Sequence, residues 1–195
     1  LYSNCYYYNH MVKNKTIWSF LEPLLYAQEF IHLAEISREL KLPHPTLRKY
    51  LNFLEKERVL LKKHVGRLTM YKLNYDNPLI IDYITLVEKE RLITKCKEDL
   101  LLLEVVSFFN QRSDSQSLIF GSVVSTKKYN DIDIIFIGNI NNESIKTLEK
   151  RLGIKLNIIN VDRLEEINEA LKKEVIDKHL IINNSEDFIK WMLKN

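Results

Sequence analysis

The run Asp131-Ile132-Asp133-Ile134-Ile135-Phe136-Ile137 sets two carboxylates two residues apart in an otherwise apolar stretch. Successive side chains of a β-strand alternate between its faces, so Asp131 and Asp133 share one face while Ile132 and Ile134 point to a core. Carboxylates side by side in apolar surroundings are costly unless a cation or a hydrogen-bond network compensates them. Magnesium is the natural compensator, a hard cation that takes carboxylate and phosphate oxygens. Upstream, Leu118-Ile119-Phe120 reads as a short buried strand, and Gly121-Ser122 opens a turn.

A second polar set lies on a helical pattern. From Pro45 to Lys56, the residues Leu47, Tyr50, Leu51 and Leu54 recur at three and four positions and mark the inner face. That arrangement turns His44, Thr46, Arg48, Lys49 and Asn52 outward. Lys62, Lys63, His64 and Arg67 flank Gly66, which reads as a tight turn between strands at Val59–Lys63 and Leu68–Leu73. The second of these strands places Leu68, Met70 and Lys72 on one face and Thr69, Tyr71 and Leu73 on the other. Between Arg38 and Lys72 there are 10 lysines and arginines against 3 acids. Such a block is the electrostatic footprint of a nucleic-acid module.

The elements that must carry this set follow in order. Ile17, Phe20 and Leu21 give a first helix its apolar face, and Pro23 ends it near Glu22 because proline disfavours helix in the residue before it. Glu29 to Leu33 alternates weakly, as a short strand. A helix over Leu33 to Leu40 has Leu33, Ile36, Ser37 and Leu40 on one side, and Lys41 to Pro45 breaks it from the next. From Thr16 to Asn77 this order resembles the winged helix-turn-helix family. The carriers of the resemblance are Ala34-Glu35-Ile36-Ser37-Arg38-Glu39-Leu40 as second helix and Thr46-Leu47-Arg48-Lys49-Tyr50-Leu51-Asn52-Phe53-Leu54-Glu55-Lys56-Glu57 as recognition helix. Val59-Leu60 then leads into the wing. The usual Ser/Thr cap is replaced by Pro43-His44-Pro45, which suits a first helical turn.

The resemblance implies double-stranded DNA as partner, with the recognition helix in the major groove. Arg48 would pair with guanine, Asn52 with adenine, and Thr46 with a phosphate or a thymine methyl. Lys62, Lys63, His64 and Arg67 would meet phosphates or a minor groove. A helix over Leu79 to Ile93 follows, whose stripe of Ile80, Tyr83, Ile84 and Val87 is a natural dimer face. A homodimer is therefore expected, reading a two-fold site.

Beyond the apolar stretch Leu100 to Phe109, helices are expected over Asn142–Leu152, closed by Gly153, then over Leu164–Lys172 and Ser185–Leu193, with a strand over Ile154–Val161. A strand, Gly121-Ser122, then Asp131-Ile132-Asp133 on the next strand resembles the minimal form of the DNA polymerase beta-like nucleotidyltransferase superfamily. The resemblance implies that Gly121 and Ser122 hold a nucleoside triphosphate and that Asp131 and Asp133 bind magnesium for attack on the alpha phosphate. The family's third carboxylate falls on the strand Lys155-Leu156-Asn157-Ile158-Ile159-Asn160-Val161-Asp162, where Asn157 takes the expected place. Asp162 substitutes only in a different strand register. An amide is neutral and cannot act as a base, so slow or absent turnover is expected.

The fold class read from these patterns is α+β. A winged helix-turn-helix spans residues 11–77, a linking helix 78–96, and a small mixed sheet with helices of nucleotidyltransferase type 97–195. Tyrosine-rich residues 1–10, ahead of Met11, read as an extension outside the fold. Of the 195 residues, 46% are hydrophobic and 28% charged, as in ordinary globular chains. Two cysteines and five scattered histidines provide no disulfide framework and no zinc site. The absence of a long apolar run predicts a cytoplasmic protein without a membrane partner. Three functions fit these features. One is a DNA-binding transcriptional regulator with a nucleotide-sensing or inactive second domain. The others are an active magnesium-dependent nucleotidyltransferase acting on a protein, RNA or small molecule, and a toxin–antitoxin type interaction module.

Overall fold

The computed structural model describes residues 16–111, 115–126 and 128–194. The N-terminal extension expected over residues 1–10 and the Met11 start lie outside them. The protein is α+β, with two small sheets. It divides into two compact units, one ending at Val87 and the other beginning at Glu88. Among the described residues no helix is long and apolar enough to cross a membrane.

The first unit opens with a 3-10 helix over Trp18–Leu24. This corrects the expectation that Pro23 ends the helix near Glu22. Pro23 lies inside the helix and is buried with Phe20, Leu21 and Leu24, so packing of the apolar face carries the tighter turns past the proline. Strand β1 is only Ile31–His32. His32 then caps helix α1, Leu33–Leu40, by accepting the Ala34 N–H on Nδ1 at 3.2 Å. The helix ends where Lys41 turns left-handed at φ 54° and Leu42 N–H donates to the Ser37 carbonyl, a cap that satisfies a terminal carbonyl.

Helix α2, His44–Lys56, starts directly after extended Pro43 and carries Pro45 in its first turn. Its inner residues Leu47, Tyr50, Leu51 and Leu54 are buried, and Tyr50 stacks on Phe20 with ring centroids 4.0 Å apart. Arg58, at φ 58°, turns the chain into β2, Leu60–Val65. Gly66 at φ 59° allows the return along β3, Leu68–Leu73. The sheet order is β1-β3-β2, antiparallel throughout, with Val65 opposite Leu68 and Leu60 opposite Leu73. Tyr71 and Leu73 face inward, as alternation requires.

Helix α3 runs over Ile80–Glu98, past the expected end at Ile93, and the chain passes from one unit to the other within it. Ile80, Ile84 and Val87 are buried, and Tyr83 packs its ring 5.1 Å from that of Trp18. The stripe on which a homodimer was expected is thus already covered within the chain.

The second unit holds α4 (Leu100–Asn110), β4 (Gln116–Phe120), the one-turn α5 (Ser122–Ser125), β5 (Asp131–Ile137), α6 (Asn142–Leu152), β6 (Lys155–Val161), α7 (Glu169–Asp177), β7 (His179–Asn183) and α8 (Ser185–Leu193). The sheet order is β6-β5-β4-β7, with β5 and β6 parallel and the other pairings antiparallel. Its core gathers Leu102, Val105 and Phe109 with Ile119, Ile132, Ile134, Phe136, Leu148 and Ile182. The helix expected over Leu164–Lys172 is two elements, a 3-10 turn at Leu164–Glu166 and then α7. Asn168 separates them, because its side chain accepts the Leu171 N–H at 2.9 Å and starts a new helix.

Candidate functional site

Strand β5 presents Asp131 and Asp133, both half-buried, on the face opposite buried Ile132 and Ile134. The parallel register sets Asp133 beside Asn157 and Asp131 beside Lys155 on β6. From there Asn157 Nδ2 donates to Asp131 Oδ2 at 2.9 Å and to Asp133 Oδ1 at 3.0 Å. The compensation that two neighbouring carboxylates require is supplied by an amide of the same sheet. The three side chains expected together are together.

The Gly121-Ser122 turn closes one side. Gly121 sits at φ 79°, ψ −146°, a region that essentially only glycine occupies. A Cβ there would lie 2.9 Å from Asp133 Oδ2. The carboxylate therefore rests against bare backbone. Gly121 N–H donates to the Lys178 carbonyl at 3.2 Å, and exposed Ser122 begins α5, a single turn. Asp162 lies elsewhere. It follows the far end of β6 and lines a cleft of about 290 Å³ with Gln116, Ile137 and Trp191.

The two carboxylates are oxygen ligands of the kind a hard cation takes while keeping several waters, whereas the Asn157 amide presents its N–H groups to them. Among the described residues, no three or more His, Cys, Asp or Glu side chains gather as a metal site. Beside Asp131, Asn130 lines a cleft of about 750 Å³ with Lys95, Asp99, Lys128 and Tyr129. There the Tyr129 hydroxyl donates to Asp99 Oδ2 at 2.6 Å. Burial first, and then that hydrogen bond, push the phenol pKa well above its ordinary value.

A buried ionic cluster escaped the sequence reading. Glu88 is fully buried and takes Arg91 Nη1 on both oxygens, at 3.1 and 3.0 Å. His179 Nε2 lies 3.2 Å from Glu88 Oε1, while the Val175 carbonyl accepts from Nδ1 at 2.7 Å. The available signal was the position of Glu88, one residue after Val87 of the apolar stripe, where a charge must find partners to be buried.

The basic set lies in the first unit. On α2 His44, Arg48 and Lys49 are exposed, whereas Thr46 and Asn52 are half-buried. Arg67 is exposed beside Gly66, and Lys63 holds its ammonium 4.0 Å from the centre of the Phe30 ring. His64 Nδ1 lies 3.4 Å from Thr69 Oγ1. Lys62 departs from the outward placement expected of it. Its ammonium turns to α2, donating to Asn52 Oδ1 at 3.0 Å and pairing with Glu55 at 3.4 Å. Comparison with protein-family models, with curated proteins and with solved structures finds no match for this chain.

Proposed function

We propose that the first unit binds double-stranded DNA, with α2 entering the major groove and the β2–β3 hairpin lying along the backbone, as in a winged helix-turn-helix of a transcriptional regulator. The observation that carries this reading is the division of α2. Leu47, Tyr50, Leu51 and Leu54 are buried, while His44, Arg48 and Lys49 stand free of the core on the opposite side. Arginine presents a fork that matches guanine O6 and N7, and exposed lysines match phosphates. Lys63 and Arg67 on the hairpin add cations to the same unit. Duplex binding followed by fluorescence anisotropy across a salt series tests the reading. The affinity should fall steeply with salt, because phosphate contacts release counterions. Unchanged affinity after substituting Arg48, Lys49 and Lys63 together would overturn it.

For the second unit we propose a nucleotidyltransferase-like pocket that senses a magnesium–nucleotide complex and turns it over slowly or not at all. Support comes from the convergence of Asp131, Asp133 and Asn157 beside the Gly121 turn. Asp131 and Asp133 would hold the ion, with the Asn157 amide turned to offer its oxygen. The bound ion would neutralise phosphate charge. The neutral amide leaves no third carboxylate to take a proton from an acceptor hydroxyl. Calorimetry with ATP and magnesium measures this directly, and absence of metal-dependent binding would remove the reading.

A further inference from the structure

We propose that Lys62 determines which base Asn52 reads, converting an adenine reader into a guanine reader. The inference rests on duplex binding by α2. An ammonium group carries three donors and no acceptor, so the Asn52 atom facing Lys62 Nζ at 3.0 Å is the amide oxygen. Glu55 Oε2, 3.4 Å from the same Nζ, holds the lysine in that position. Its side chain is only 22% exposed, on a strand that packs against α2. Lys62 is therefore part of the reading surface without itself pointing away from the protein.

Bidentate reading of adenine needs both ends of the amide, the oxygen accepting from N6 and the nitrogen donating to N7. Here the oxygen is engaged by a cation. Its second lone pair remains, but an adenine amino group approaching it would come up beside the ammonium, donor against donor. Guanine offers acceptors at both O6 and N7. It would meet the two N–H groups of Asn52 Nδ2 with no donor set against a donor. Arg48 lies one helical turn before Asn52 on the same outward side and is likewise a donor-only group. The pair addresses neighbouring base pairs with donors alone, which specifies adjacent guanines and not guanine beside adenine.

Selection of bound duplexes from a randomised pool tests this, using the full chain as wild type, Asn52→Ala, Lys62→Met and Lys62→Arg. The wild type should enrich guanine over adenine by about tenfold at the position whose preference Asn52→Ala erases. Lys62→Met keeps the aliphatic stem and frees the amide oxygen, so the preference there should move toward adenine. Lys62→Arg keeps a donor-only group and should retain guanine. Adenine enrichment by the wild type at that position, an unchanged preference in Lys62→Met, or no position sensitive to Asn52→Ala overturns the proposal while leaving duplex binding intact. Failure of the wild type to retain any duplex at low salt overturns the DNA-binding reading itself, and this inference with it.

Discussion

Asn157 lies directly across the parallel β5–β6 pairing from Asp133, and its Nδ2 donates to Asp133 Oδ1 at 3.0 Å and to Asp131 Oδ2 at 2.9 Å. One amide thus satisfies two carboxylates in a half-buried place. Replacing it by a third acid removes both donors and adds like charge. Asn157→Asp should lower stability by about 1–3 kcal/mol without divalent ions. Magnesium should then raise the melting temperature of the variant more than that of the wild type. Thermal melts with and without magnesium check this, and an equal response in the two proteins would count against the pairing.

Gly121 makes the close approach of Asp133 possible. Gly121→Ala would put a Cβ 2.9 Å from Asp133 Oδ2 at φ 79°. The expected loss is about 1–3 kcal/mol from the backbone alone, and the Asp133 carboxylate must also give way to the new Cβ. Urea denaturation measures the loss. The same substitution at Gly66 meets no atom within 4 Å and should cost less.

Glu88 is the hub of the buried ionic cluster. Glu88→Ala would remove the carboxylate that Arg91 Nη1 and His179 Nε2 face, and about 1–3 kcal/mol of stability should be lost. Glu88→Gln preserves the shape and should lose less. Chemical denaturation of the two variants separates the contribution of charge from that of packing.

The Tyr75 hydroxyl oxygen is buried and has no hydrogen-bond partner among the described residues. Burial pushes its pKa up to about 12. The folded state therefore favours the neutral phenol. This contribution is complete below the ordinary tyrosine pKa of about 10 and is lost as the pH rises toward about 12. Stability should fall across that window. Tyr75→Phe should flatten the fall and be neutral or slightly stabilising at pH 7, which denaturation at a series of alkaline pH values would reveal.

Much of the local architecture was legible in the sequence because periodicity records which face of an element is buried. Leu47, Tyr50, Leu51 and Leu54 defined α2, and Leu33, Ile36 and Leu40 defined α1. Alternation in Asp131 to Ile137 put both acids on one face, and Gly153 marked the end of α6 at φ 67°. Each of these depends on neighbours within a few residues. Asn157 was placed at the acidic pair only through the family resemblance, since its position depends on the register between two strands.

Tertiary packing decided the rest. Pro23 stays inside a 3-10 helix because its neighbours are buried, and Ile80, Ile84 and Val87 of the expected dimer stripe are buried within their own chain. Lys62 turns to Asn52 and Glu55, ten and seven residues away in sequence, and Glu88 finds His179 ninety-one residues on. A lysine in an alternating strand reads as an outward cation, and a glutamate on a helix reads as solvated. Only the distance to a partner across the fold determines whether such a charge meets water, a ligand or the protein itself.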